Sequence, residues 1–78
     1  MDKYKLTNSI RKLRFFNNEM TQQELAKKTG VSRQTIVAVE NCKYSPSLEL
    51  AFKIALVLGV KLEEVFEYTI IEKSEENE

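Results

Sequence analysis

Four consecutive residues, Ser32, Arg33, Gln34 and Thr35, carry the most specific chemistry in this 78-residue sequence. A guanidinium such as that of Arg33 fits the O6/N7 edge of guanine, and an amide such as that of Gln34 fits the N6/N7 edge of adenine, each through two hydrogen bonds. On the next turn, Val37 and Ala38 offer apolar atoms of the kind that touch a thymine methyl. Val31, Ile36 and Val39 supply an inward stripe at helical spacing. Polar readers outside and β-branched anchors inside fit a helix laid in a DNA groove. They also fit an ordinary amphipathic surface helix with a good cap, and residue types alone leave both readings open.

Other chemistry is poorly served. The chain has no His, which removes the commonest general base and metal ligand. Its one cysteine, Cys42, forms no CxxC or zinc pattern and cannot close an internal disulfide. There is no nucleophile–base pair and no Gly-rich phosphate loop. Glu63 and Glu64 are sequence neighbours and point to different sides of a helix. The sequence therefore predicts no enzyme, and no cofactor, metal or small-molecule ligand.

The elements that would position the reading residues are legible. Thr21-Gln22-Gln23-Glu24 is a capping box that opens a helix, with Leu25 and Ala26 inward. Gly30 suits the left-handed residue that ends it. Ser32 caps the next helix, which runs to about Glu40, so two short helices flank a tight Gly-containing turn. Upstream, Thr7 or Asn8 caps a first helix whose inner stripe is Ile10, Leu13 and either Phe16 or Asn17. Downstream of an Asn41–Pro46 loop, Ser47 caps a fourth helix, Leu48 to Leu58, with Leu48, Ala51, Ile54, Ala55 and Leu58 inward and Gly59 at its end. Leu62 to Phe66 forms a last short helix. Residues 2–6 alternate weakly as a strand, and Tyr68 to Ile71 are β-branched or aromatic. The two segments either pair as a small sheet, or Tyr68 to Ile71 cover their own core.

At 9.1 kDa the chain holds one small domain, expected over residues 1–72, with an acidic tail at 73–78. The longest apolar run, Ile54 to Val60, is seven residues, against about 20 for a membrane span. No apolar signal core opens the chain, and the expectation is a soluble cytoplasmic protein without a membrane partner. The zero net charge hides an asymmetry. Residues 1–43 hold nine Lys/Arg against four acids, and residues 44–78 hold three Lys against eight Glu. The halves therefore carry +5 and −5, which points to one basic working face. A solvated surface that is merely uneven along the chain is the plainer reading.

The segments Thr21-Gln22-Gln23-Glu24-Leu25-Ala26, Gly30-Val31-Ser32-Arg33-Gln34-Thr35-Ile36, Glu40-Asn41 and Lys43-Tyr44-Ser45-Pro46-Ser47-Leu48 together resemble the Cro/CI-type, or xenobiotic-response-element, helix-turn-helix family. The resemblance spans about Ile10 to Phe66. It implies an all-α, five-helix, lambda-repressor-like domain that binds double-stranded operator DNA as a homodimer. Small stand-alone members, similar to the cytolysin repressor, add a short antiparallel sheet from the two chain ends. By the same resemblance Arg33, Gln34, Thr35 and Ala38 read bases, with the third helix in the major groove. Gln22, Ser32, Asn41, Lys43 and Tyr44 contact phosphates, and Arg14 with Glu40 forms a structural ion pair.

Three departures stand out. The loop before Thr21 is one residue longer than the common form, and Phe15-Phe16 replace residues that are usually charged, one of them for core packing. Cys42 stands where the family usually has Gly, at a position that often needs a positive φ. An inert substitution is the favoured reading of Cys42, with a redox switch or an intermolecular disulfide as alternatives. Leu56 replaces a charged residue and, with Phe52, extends an apolar surface on the fourth helix.

One recognition helix spans only about 4–5 base pairs, so a two-fold dimer reading a pseudo-palindrome is expected, with half-sites about 34 Å apart. Leu62, Val65 and Phe66 exceed what so small a core must bury and, with Tyr68 and Ile70 beside them, form the expected dimer surface. A transcriptional repressor follows as the expected role. The rival expectation is an antitoxin-like or bridging protein-interaction module.

Overall fold

A computed structural model describes residues 3–71; the remaining residues, and with them the acidic tail expected at 73–78, lie outside the described residues. The element order is β1 (Tyr4–Asn8), α1 (Ile10–Phe16), α2 (Gln22–Thr29), α3 (Arg33–Glu40), α4 (Leu48–Leu58), α5 (Leu62–Val65) and β2 (Phe66–Ile70). The fold is the expected five helices with a small antiparallel sheet made by the two chain ends.

Local chemistry sets the helix ends. Thr21 Oγ1 accepts the Glu24 N–H at 3.0 Å, and Glu24 Oε1 accepts the Thr21 N–H at 2.8 Å, closing the capping box of α2. Gly30 follows at φ 82°. A side chain built there would meet nothing within 4 Å, so the need for glycine is conformational rather than steric. Ser32 and Ser47 open α3 and α4 by accepting the Thr35 and Leu50 N–H groups, each at 3.1 Å. The first helix is capped less directly. Ser9 holds the cap position without a side-chain bond, and Asn8 Oδ1 accepts the Ile10 N–H at 3.1 Å.

The core is aliphatic. Ile10, Leu25, Ile36 and Ile54 are fully buried, and Val39, Val65, Leu50, Leu58, Met20, Ala26 and Ala55 complete it. Each buried large aliphatic side chain contributes about 1.5–3 kcal/mol of transfer free energy. Thr29, the buried polar residue, satisfies its hydroxyl on the Leu25 carbonyl at 2.8 Å.

The strands pair from Tyr4↔Ile70 to Asn8↔Phe66, reaching two residues further toward the body than the expected segments. Asn8 and Phe66 anchor the ribbon's base; at its tip the Tyr4 and Tyr68 rings stack with centroids 5.4 Å apart.

Three packing expectations need correction. Leu48 is exposed and Leu50 is buried in its place, because the inward stripe of α4 is Leu50, Ala51, Ile54, Ala55 and Leu58. Leu48 lies further around the helix from the centre of that stripe, above Phe52 and Leu56 at four-residue spacing. Neither Phe15 nor Phe16 enters the core. Both are exposed, packed edge-to-face on each other at 5.6 Å, while Asn17 takes the half-buried position. Val65, expected on a partner surface, is 1% exposed and belongs to the chain's own core.

Candidate nucleic-acid interface

The helix pair is fixed before any ligand arrives. The turn between α2 and α3 is three residues long, and the Gly30 and Val31 N–H groups both bond the Ala26 carbonyl, at 2.8 and 3.0 Å. Ile36 and Val39 bury one face of α3. The opposite face presents Arg33 and Gln34, exposed, and Val37 and Ala38, half-buried. Thr35 sits differently. It is half-buried, and its hydroxyl lies 3.0 Å from that of Ser32, so these two hydroxyls first satisfy each other at the helix start.

Groups suited to phosphate flank α3 on both sides. On one side an open cleft of about 480 Å3 brings Arg33 together with Gln22, Gln23, Thr21 and residues of α1. On the other, Thr35 and Tyr44 share a second cleft with Ser47 and with Lys53, which is ion-paired to Glu49 at 3.6 Å. Asn41, Lys43 and Tyr44 are exposed on the loop that follows α3. Among the described residues Arg33 and Lys43 make no ion pair, so both cations are free for an anionic ligand.

A polar knot ties α1, α2 and α3 behind this face. Arg14 Nε donates to Glu40 Oε2 at 2.7 Å and Arg14 Nη2 to Glu40 Oε1 at 3.2 Å, while Nη1 donates to the Met20 carbonyl at 2.8 Å. The two side chains are 14% and 7% exposed. Gln22 Nε2 also donates to Glu40 Oε1, at 3.2 Å. Gln22 is therefore held by the knot, half-buried, with its backbone at the start of α2.

The loop after α3 is shaped by Cys42 at φ 60°. A left-handed non-glycine residue costs about 1–2 kcal/mol. Support comes from Asn8, whose Nδ2 donates to the Val39 carbonyl at 3.0 Å and reaches Cys42 Sγ at 3.9 Å. Asn8 thus joins the ribbon, α1 and the loop carrying Lys43. Its sequence signal was only a polar residue before a helix. Arg11 and Phe15, which sequence reasoning did not place near Gln22 and Arg33, line the same cleft. Their signal was i,i+4 spacing on α1, a face with no evident partner in the sequence.

Besides Phe15 and Phe16, apolar side chains are exposed on β2 and α4 among the described residues. Tyr68 and Ile70 are exposed on β2, whereas Leu62 and Phe66 are half-buried and Phe66 packs against the core. Leu48, Phe52 and Leu56 form an exposed stripe along α4.

Comparison with known proteins agrees with this geometry. A family model described as helix-turn-helix matches residues 10–65. An uncharacterized HTH-type transcriptional regulator of Methanocaldococcus jannaschii is 56% identical over 63 residues, covering 81% of this chain and 94% of the relative. The crystal structure of a proposed DNA-binding protein from Bacteroides fragilis superimposes with a TM-score of 0.69 at 27% identity, over 80% of this chain and 98% of that one. That of a hypothetical transcription factor from Neisseria gives 0.63 at 33% identity, over 70% and 62%. From α1 through α5 this chain belongs to the Cro/CI-type helix-turn-helix family.

Proposed function

We propose that the chain is a sequence-specific double-stranded-DNA-binding transcriptional regulator, acting as a homodimer and most simply as a repressor that blocks access to its operator. Family membership and the names of its relatives support DNA binding and regulation. The observation that carries the sequence-reading part is the outer face of α3, where Arg33 and Gln34 are exposed beside an open cleft that holds further guanidinium groups. In this reading α3 lies in the major groove, Arg33, Gln34, Thr35 and Ala38 face base edges, and Gln22, Ser32, Asn41, Lys43 and Tyr44 face phosphates.

The pairing surface we assign is the exposed part of the ribbon, Tyr68 and Ile70, bordered by Leu62 and Phe66. Val65 supports it from beneath. A second copy covering this surface sets two recognition helices on one side of a duplex, for half-sites about 34 Å apart. Among the described residues no helix is long and apolar enough to cross a membrane, and we place the protein in the cytoplasm with its DNA.

Titration into a labelled mixed-sequence duplex tests DNA binding itself. Affinity should fall steeply and linearly on a log–log scale as salt rises. No binding even at low salt would overturn the reading. The Leu48–Phe52–Leu56 stripe favours the second reading, a protein-interaction module; a co-purifying partner together with absent DNA affinity would select it.

A further inference from the structure

The third contributor to the cleft beside the α3 N-terminus is α1, which the reading above does not use. Arg11 and Phe15 lie one turn apart on that helix and line the same cleft as Gln22, Gln23 and Arg33. Arg11 is exposed and, among the described residues, has no ion-pair or hydrogen-bond partner. Arg14, in the same cleft, is already spent on Glu40 and the Met20 carbonyl. Phe15 is 61% exposed, and its ring is braced edge-to-face by Phe16. Glu19 is the acid of the cleft.

An open cleft with two free guanidinium groups, a braced aromatic ring and two glutamines is suited to a sugar–phosphate backbone. With Arg33 turned to the base edges, the Arg11 guanidinium neutralises and hydrogen-bonds a phosphate, and the ring packs against the apolar edge of a deoxyribose. A duplex placed against Arg33 and the start of α2 runs its backbone past this opening. We propose that Arg11 and Phe15 form an additional backbone contact from α1, Arg11 to one phosphate and Phe15 to the adjoining sugar. The inference rests on the DNA-binding reading and extends that interface beyond the helix pair. Glu19 opposes the contact by repelling the same phosphate, which makes it an internal control.

The experiment compares Arg11→Ala, Phe15→Ala, Glu19→Gln and the unaltered chain on a duplex selected for binding by the unaltered chain. All three positions are exposed, so the variants should melt with the unaltered chain. Arg11→Ala should weaken binding by about tenfold on every sequence and lower the log–log salt slope by about 0.9 per protomer bound. Phe15→Ala should weaken binding severalfold with the slope unchanged, and Glu19→Gln should tighten it. Ethylation interference should reveal one phosphate per half-site whose blocking weakens the unaltered chain but not Arg11→Ala. If the unaltered chain binds and these variants match it in affinity and interference pattern, the α1 contact is overturned and the helix-pair reading stands. If the unaltered chain selects no duplex at any salt, both are overturned together.

Discussion

Arg33 and Lys43 are both exposed cations without ion-pair partners among the described residues, and the proposed DNA-binding reading gives them different work. Arg33 opens the outward face of α3. On the selected duplex Arg33→Ala should cost about 1–3 kcal/mol and relax preference at one base position. Lys43, on the loop beyond α3, should weaken all sequences alike when changed to Ala and flatten the salt slope. Equal losses on every sequence from both variants would remove the base-reading role of Arg33. Cys42 poses a question of stability instead. Its φ of 60° predicts that Cys42→Gly stabilises the chain by about 1 kcal/mol in urea unfolding. A loss of stability would show that the Asn8 contacts outweigh the strain. The outward placing of Arg33 and Gln34 was legible in the sequence because Ile36 and Val39, at helical spacing, fix which face of α3 is buried. The mutual bond of Ser32 and Thr35 was not, since it depends on a rotamer fixed only once α3 is capped.

At the scale of elements, the pairing of α2 with α3 was legible because every boundary has a local cause: the capping box at Thr21, the left-handed Gly30, the cap at Ser32. What sequence reading missed is set by rotation about a helix axis. Leu48 and Leu50 are both leucines in the first turn of α4, and only the position of α2 and α5 decides which one is buried. One of Phe15 and Phe16 likewise read as core by type, but both are exposed and Met20 and Ile10 are buried instead. The Arg14–Glu40 pair belongs to this scale, because it locks α1 to the end of α3. Glu40→Ala would leave a largely buried guanidinium with one remaining carbonyl partner. A loss of about 3 kcal/mol is expected in urea unfolding, as for a broken buried pair. A loss below about 1 kcal/mol, the worth of an exposed pair, would show that α3 is held by Ile36 and Val39 alone.

For the whole molecule, the charge asymmetry becomes spatial. Arg11, Arg33 and Lys43 gather around α3, while Glu63, Glu64 and Glu67 are exposed on α5 and β2, the elements that lead into the ribbon. Acid on that side disfavours docking DNA in the wrong orientation. The ribbon also leaves Tyr68 and Ile70 exposed, and changing both to Ser should shift sedimentation from dimer to monomer while the helical circular dichroism persists. A dimer that survives the double change would transfer the pairing role to the α4 stripe. Sequence reading left open whether the two terminal segments pair or Tyr68 to Ile71 cover their own core, and it assigned Val65 to a partner, because an apolar residue in a short last helix looks the same whether its own core or a second copy covers it. Whether two copies read a two-fold DNA site is shown by selecting binding duplexes from a random library and sequencing the enriched pool. The expected result is a pseudo-palindrome with half-sites about one helical turn, roughly 34 Å, apart. An unenriched pool at both low and moderate salt would contradict the account.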